Sequence, residues 1–274
     1  MTDRVLPATR VVGAVIVPFL VVASVLLYLL PTTTGELFAW TIEPRLSAMF
    51  LGCAYIGGIW FFGRVLRAQR WHHVKYGFPA VILFASLLSI ATLLHWDRFH
   101  FGHISFITWT TLYLTTPFAV LAVTLRNWRA DPGVADRGDF AIPLPARVLL
   151  VGVGAASLAC GLTLFAVPTL ATELWAWPLT PLTARVVGAI LTLPGAVNLW
   201  LLRDARWSAF RQIFQAQLVS LGCIVLALVI ARADLVGPRH VVAVLIVGLV
   251  GSLAAYLAFY AYCERRRHPS AVGE

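Results

Sequence analysis

The densest concentration of groups able to do chemistry is His95-Trp-Asp-Arg-Phe-His-Phe-Gly-His103, which places three of the seven histidines and one acid within nine residues. An imidazole exchanges protons near neutral pH and ligates metals when neutral. With Asp97 as the cap of the helix that follows, His100 and His103 would stand three residues apart on one face, a spacing that lets two imidazoles share a divalent metal ion. Glu36, Glu43, Glu173, Asp234 and His240 fall in other loops on the same side and would complete a site if those loops converge. The pattern is neither HExxH nor the multi-box histidine pattern of membrane di-iron enzymes, and interfacial histidines also serve as amphipathic anchors.

Three further groupings carry polar chemistry. Thr108, Thr111 and Thr115, together with Ser105, follow three- and four-residue steps along one apolar run and so share a helix face. Pro117 in the same run leaves the carbonyl of Tyr113 without its helical donor. That face would line a polar cavity opening at the histidine loop, or its hydroxyls would bond back to their own helix. Gly57-Gly58 in one run and Pro194-Gly195 in another fall at corresponding positions, with Asn198 one turn further on. Paired helix interruptions free carbonyls for a polar ligand, although small residues and a lone Asn also serve close packing. Finally, Trp71-His72-His73-Val74-Lys75 corresponds to Trp207-Ser-Ala-Phe-Arg211; the aromatic and basic ends recur without the histidines, which favours an interface anchor. Cys53, Cys160, Cys223 and Cys263 are isolated and read as buried free thiols.

The elements that must position these residues are eight apolar runs, at about 11–30, 46–62, 76–95, 104–125, 148–167, 186–202, 213–231 and 241–262. Each is long enough for a transmembrane helix at about 1.5 Å rise per residue. The chain of 274 residues is 60% hydrophobic and 12% charged, with mean hydropathy +0.84, a composition that excludes an ordinary soluble enzyme. The expected fold class is therefore an all-α integral membrane protein of eight transmembrane helices. The first run follows Arg4 and Arg10 as a signal sequence would, but it spans a full membrane width without a small-x-small cleavage site and reads as a retained span. Although the net charge is +9, the basic residues sit in short loop clusters that fit an anionic leaflet and membrane lipids as partners, with no nucleic acid expected. Sixteen of the 21 Lys and Arg fall on one side; the other holds Arg45, Arg98, Arg185, Arg232 and Arg239. The positive-inside rule then puts both termini in the cytoplasm of a bacterial inner membrane. Trp40, Trp96, Trp175 and Trp177 form an outer aromatic belt, and Trp71, Trp128 and Trp207 an inner one.

An internal repeat organises the runs. Shifting the chain by 137 positions aligns PTTTGELFAWTIEP, starting at Pro31, with PTLATELWAWPLTP, starting at Pro168, and seven of fourteen residues match. The same shift pairs Arg10 with Arg147, and after one deletion Arg70-Trp71 pairs with Arg206-Trp207. The expected organisation is two tandem four-helix halves of parallel topology, 1–127 and 147–274, joined by a polar cytoplasmic connector, 128–146. Nothing in the second half is read as matching His95, Asp97 and His100.

No acidic or basic residue falls in the middle of a run, and no facing histidine pair or nucleotide fingerprint is present, so neither haem nor nucleotide is expected. ELFAWTIEP, LGCAYIGG, LHWDRFHFGHISF and LYLTTPF together resemble a group of uncharacterised multi-pass bacterial membrane proteins, over Glu36 to about Asn127, while the second half keeps ELWAW. The resemblance implies a specialised first half and carries no activity. The expectation is a non-enzymatic protein of the permease class that binds or passes a small or lipidic ligand through an outward-facing polar pocket. The alternatives are a metal-assisted enzyme acting on a lipid-linked substrate at the outer leaflet, and a scaffold with no site.

Overall fold

The computed structural model of the chain describes residues 3–267 and is all-helical, with no strands among the described residues. Its ten α-helices are α1 (Pro7–Ser24, continued by a wider turn over Val25–Leu29), α2 (Thr34–Leu37), α3 (Arg45–Arg67), α4 (Gly77–Leu94), α5 (Ile104–Asn127), α6 (Leu144–Ala166), α7 (Pro168–Leu174), α8 (Pro181–Asn198), α9 (Trp207–Ile230) and α10 (Arg239–Arg266). All except α2 and α7 are long and apolar enough to cross a membrane. In hydrocarbon a spanning segment must satisfy its own backbone, which a continuous helix does. Proline opens α1, α6, α7 and α8, where a missing N–H costs nothing, and Arg64 and Arg67 close α3, where cations complement the exposed carbonyls.

The helices interlock in a regular order. α1 packs on α3 and α6 on α8; α4 packs on α5 and α9 on α10. Between these pairs α3 lies against α9 and α8 against α4, and α3 meets α8 directly. α3 is therefore the most enclosed long helix and α10 the least. The tightest seam joins α6 to α8, where Gly154 faces Gly195 and Gly161 faces Gly188 with no room for a side chain. Both pairs are seven residues apart, two helical turns, so they stack along one stripe.

Several details follow the residues closely. Pro117 frees the Tyr113 carbonyl, which instead accepts a hydrogen bond from Ser89 of α4. The two copies of the Pro-Thr…Glu-Leu…Ala-Trp segment each form a short helix, α2 or α7, followed by an extended stretch leading into a long helix. Four tryptophans depart from the interface-belt expectation: Trp40, Trp71, Trp177 and Trp207 are at most 2% exposed. They are wedges between elements; the indole N–H groups of Trp177 and Trp207 are hydrogen-bonded, whereas those of Trp40 and Trp71 are buried without a partner. Trp177 donates to Ser47 at 2.8 Å, Trp207 to Glu264 at 2.7 Å, and Trp40 packs edge-on to Trp109. Trp96 remains exposed, while Trp128 and Trp175 are half-buried.

Both ends of the described chain gather at one face, called here the basic face. Asp3 bonds to the α3–α4 loop, Asn127 accepts from Leu6 at 2.9 Å, and Glu264 pairs with Arg211 at 2.7 Å. The segment 128–146 crosses this face as ordered chain: Ile142 donates to Ala205, Trp207 donates to Phe140, and Asp131, Asp136 and Asp139 all bond side chains outside the segment.

Candidate functional site

A cavity of ≈ 290 Å³ lies at the centre of the bundle, with lining residues from all eight long helices. Its wall is apolar, formed by side chains such as Leu20, Phe50, Phe84, Ile190 and Leu249. Gly57, Gly58 and Pro194 all border it, so the paired interruptions of α3 and α8 meet at the same space. Pro194 removes the helical donor to the Ile190 carbonyl, and Ile190 is itself a lining residue. Gly57 serves a close approach as well: a Cβ there would lie 2.9 Å from Ser220 Cβ and 3.0 Å from the Ala216 carbonyl of α9.

Polar groups on this wall are few and placed individually. The Tyr55 and Tyr113 hydroxyls are 2.6 Å apart and buried. Tyr256 bonds to the Asn198 amide at 2.9 Å, and the same nitrogen donates to Leu150 O at 2.9 Å. Asn198 thus ties α6, α8 and α10 together. Gln217 differs from all of these, because both its amide nitrogen and its carbonyl oxygen are buried without a partner while the residue lines the cavity. An unpartnered buried amide is costly, of the order of 1–3 kcal/mol per group, and a ligand with complementary groups relieves it. Gln217 is not among the residues singled out from the sequence; the available signal was the pair Gln215 and Gln217 inside the apolar run 213–231.

At the opposite face the histidine loop is held segment by segment. His95 accepts from Arg185 at 2.6 Å, and burial together with that guanidinium pushes its pKa down. Asp97 is exposed and pairs with its neighbour Arg98 at 3.2 Å. The cap of α5 is His103, whose Nδ1 accepts from the Ser105 amide at 3.2 Å, which corrects the expectation that Asp97 would fill this role. His100 donates from Nδ1 to Phe38 O at 3.0 Å and lies 3.2 Å from the Thr41 hydroxyl through Nε2, so both ring nitrogens are spent on docking the loop to the chain before α3. Glu36, Glu43 and Glu173 are exposed and their carboxylates have no hydrogen-bond or ion-pair partner among the described residues, so the expected convergence on the histidines is not formed. Asp234, which the 137-residue shift places on Asp97, accepts from the Leu46 amide at 2.9 Å and thereby supports the start of α3. The second half does hold a counterpart of Asp97.

The hydroxyl face of α5 also departs from expectation. Thr108, Thr111 and Thr115 border a lateral groove against Val11, Val15 and Phe19 of α1, and Thr115 bonds back to the Thr111 carbonyl at 2.6 Å. The pyrrolidine of Pro117 and the Tyr113–Ser89 contact turn Tyr113 toward α4, which leaves these threonines on the outer side.

No known family, curated protein or solved structure matches the chain.

At the basic face two polar centres stand out. In the first, Arg206 forks between Asp131 and Asp204, with Nη2 2.7 Å and 2.6 Å from their carboxylates; Lys75 reaches Asp131 at 3.2 Å and Tyr76 donates to Asp204 at 2.9 Å. Burial alone would raise both acids, but the Arg206 hydrogen bonds and charge outweigh it and hold both below the ordinary carboxylate range. In the second, His72, His73 and Asp136 meet beside Asp3 and Ser208. His72 is fully buried, which corrects the reading of Trp71-His72-His73 as a membrane-surface anchor.

Proposed function

We propose that the protein is an inner-membrane protein of the permease class that binds a largely apolar ligand with one hydrogen-bonding group in the central cavity. The observation that carries this reading is Gln217, a buried amide with both ends unpartnered on an otherwise apolar wall. Apolar pockets with a few placed polar groups are the usual form of small-molecule sites, with the polar groups fixing orientation. A hydroxyl, carboxyl or amide head group would answer both ends of Gln217. The pocket in this reading is apolar and shared by both halves, rather than polar and confined to the first.

The same reading treats 1–127 and 147–274 as parallel tandem halves joined by 128–146, with the basic face cytoplasmic. The matching local structures around α2 and α7 support it, as does the reciprocal packing of α3 on α9 and α8 on α4. Reporter fusions after Arg137 and after Glu274 are expected to read cytoplasmic and a fusion near Glu173 external. An external reading at Arg137 would overturn this topology.

Ligand binding is tested by native mass spectrometry and solvent extraction of the detergent-purified chain. Wild type is expected to carry about one apolar molecule per chain, whereas Val81→Trp, which fills the cavity, should carry none. Gln217→Leu should weaken binding by about three- to tenfold, the worth of one neutral hydrogen bond. Equal ligand content in wild type and Val81→Trp, or none in wild type, would leave a scaffold with no site.

A further inference from the structure

We propose that His72, His73 and Asp136 form a binding site for a divalent transition-metal ion of the zinc class at the basic face. Their three ligand atoms, His72 Nε2, His73 Nε2 and a carboxylate oxygen of Asp136, lie within 4.8 Å of one another. Ligands at 2.0–2.2 Å from a tetrahedral ion stand about 3.3–3.6 Å apart. His72 Nε2 and Asp136 Oδ1 are already separated by 3.4 Å, while His73 Nε2 and Asp136 Oδ2, now hydrogen-bonded at 2.7 Å, would open slightly around an ion.

The surroundings of His72 point the same way. Its Nδ1 is 2.5 Å from Asp3 Oδ2, the carboxylate support that orients a metal-bound imidazole and leaves Nε2 to the ion. Nε2 in turn faces acceptors: the Ser208 oxygen at 3.2 Å, whose hydrogen is given to Asp139 at 2.5 Å, and Asp136 Oδ1. The nitrogen, the hydroxyl oxygen and the carboxylate converge on one space that either a proton on Nε2 or a metal ion fills, and the test below separates the two. Arg70 pairs with Asp136 Oδ1 from the more exposed side and holds the carboxylate toward the two imidazoles. Two imidazoles and one carboxylate suit zinc, cobalt or iron(II) better than the hard cations magnesium and calcium.

The three ligands come from the α3–α4 loop and the 128–146 segment, so an ion here would fasten that segment to the bundle independently of the central cavity.

The test loads the full-length detergent-purified chain with zinc or cobalt chloride alone, removes unbound metal and measures metal content, the cobalt absorption spectrum and thermal unfolding. Wild type should retain one ion per chain, show the intense visible bands of a four-coordinate cobalt site and unfold at higher temperature with metal than without. His73→Ala and Asp136→Asn should each weaken retention at least tenfold while their metal-free unfolding stays near that of metal-free wild type. His73→Cys, which keeps a ligand, should restore zinc binding with an added thiolate charge-transfer band. His100→Ala with His103→Ala should leave metal content and the cobalt spectrum unchanged. Failure of wild type to retain metal, a proton alone occupying the space, would overturn the proposal. So would retention that is unaffected by His73→Ala and Asp136→Asn, or lost only with His100 and His103.

Discussion

Replacing Arg206 with Ala is expected to cost about 3–5 kcal/mol at neutral pH, the range for leaving a buried charge without its partner. Two carboxylates lose their partner in one step, since Arg206 bonds Asp131 through Nη1 and Nη2 and Asp204 through Nε and Nη2. The Asp131 side chain is only 2% exposed, so water cannot replace the guanidinium without opening the 128–146 segment. Lys75 and the Gly133 amide remain for Asp131, and Tyr76 and the backbone amide of residue 206 for Asp204. The pH dependence distinguishes this cause from a packing defect. Both folded acids lie below the ordinary value of 3.8, so their contribution is complete above about pH 4 and is lost as pH falls through the depressed folded values. Without Arg206 the main cause of that depression is gone, so the variant has less stability to lose as the acids protonate. Thermal unfolding of wild type and Arg206→Ala between pH 7 and pH 3 should therefore show a gap that narrows on acidification. A gap constant with pH would assign the loss to packing instead.

The second large effect is expected along the α6–α8 seam. A Cβ on Gly161 would stand 2.5 Å from the Gly188 carbonyl oxygen, and one on Gly188 would stand 2.6 Å from the Gly161 carbonyl oxygen. The obstacle is backbone in each case, so no rotamer change relieves it and the helices must separate. Gly161→Leu and Gly188→Leu should each destabilise the protein by about 3 kcal/mol or more, the upper range for overpacking. Gly152→Leu on the same helix, with open space around its Cα, should be neutral. The comparison is made by thermal unfolding and by the monodisperse yield of each variant. If Gly152→Leu is as damaging as Gly161→Leu, the cause is helix propensity or insertion rather than the seam.

Much of the helical scaffold was legible in the chain because a bilayer imposes a length rule on each segment separately. Eight apolar runs gave eight long helices. Local chemistry was legible too: Pro117 required another donor for the Tyr113 carbonyl, and Ser89 provides it. Gly57 and Pro194 were readable as corresponding positions, and both border the cavity.

Which faces of those helices look inward was not legible. In a soluble protein a buried face differs from an exposed one in polarity, whereas lipid and protein interior are equally apolar, so a spanning helix carries little periodic signal. For that reason Thr108, Thr111 and Thr115 could be placed on one face but not assigned to the outer groove, and Gln217 gave no sign that it would line a cavity. Loops posed a related difficulty. His95, His100 and His103 are dense in sequence, but each is satisfied by a different neighbour, Arg185, Phe38 with Thr41, or Ser105. His72 and His73 looked like a surface anchor until Asp3, Asp136 and Ser208, at most 136 positions away, closed over them. The sequence by itself determined how many long helices form and, to within six residues, where each begins, because backbone hydrogen bonding and apolar length are properties of one segment. Only the tertiary structure decided which polar groups share a site, because that depends on pairings between segments for which burial in an apolar medium leaves almost no trace in composition.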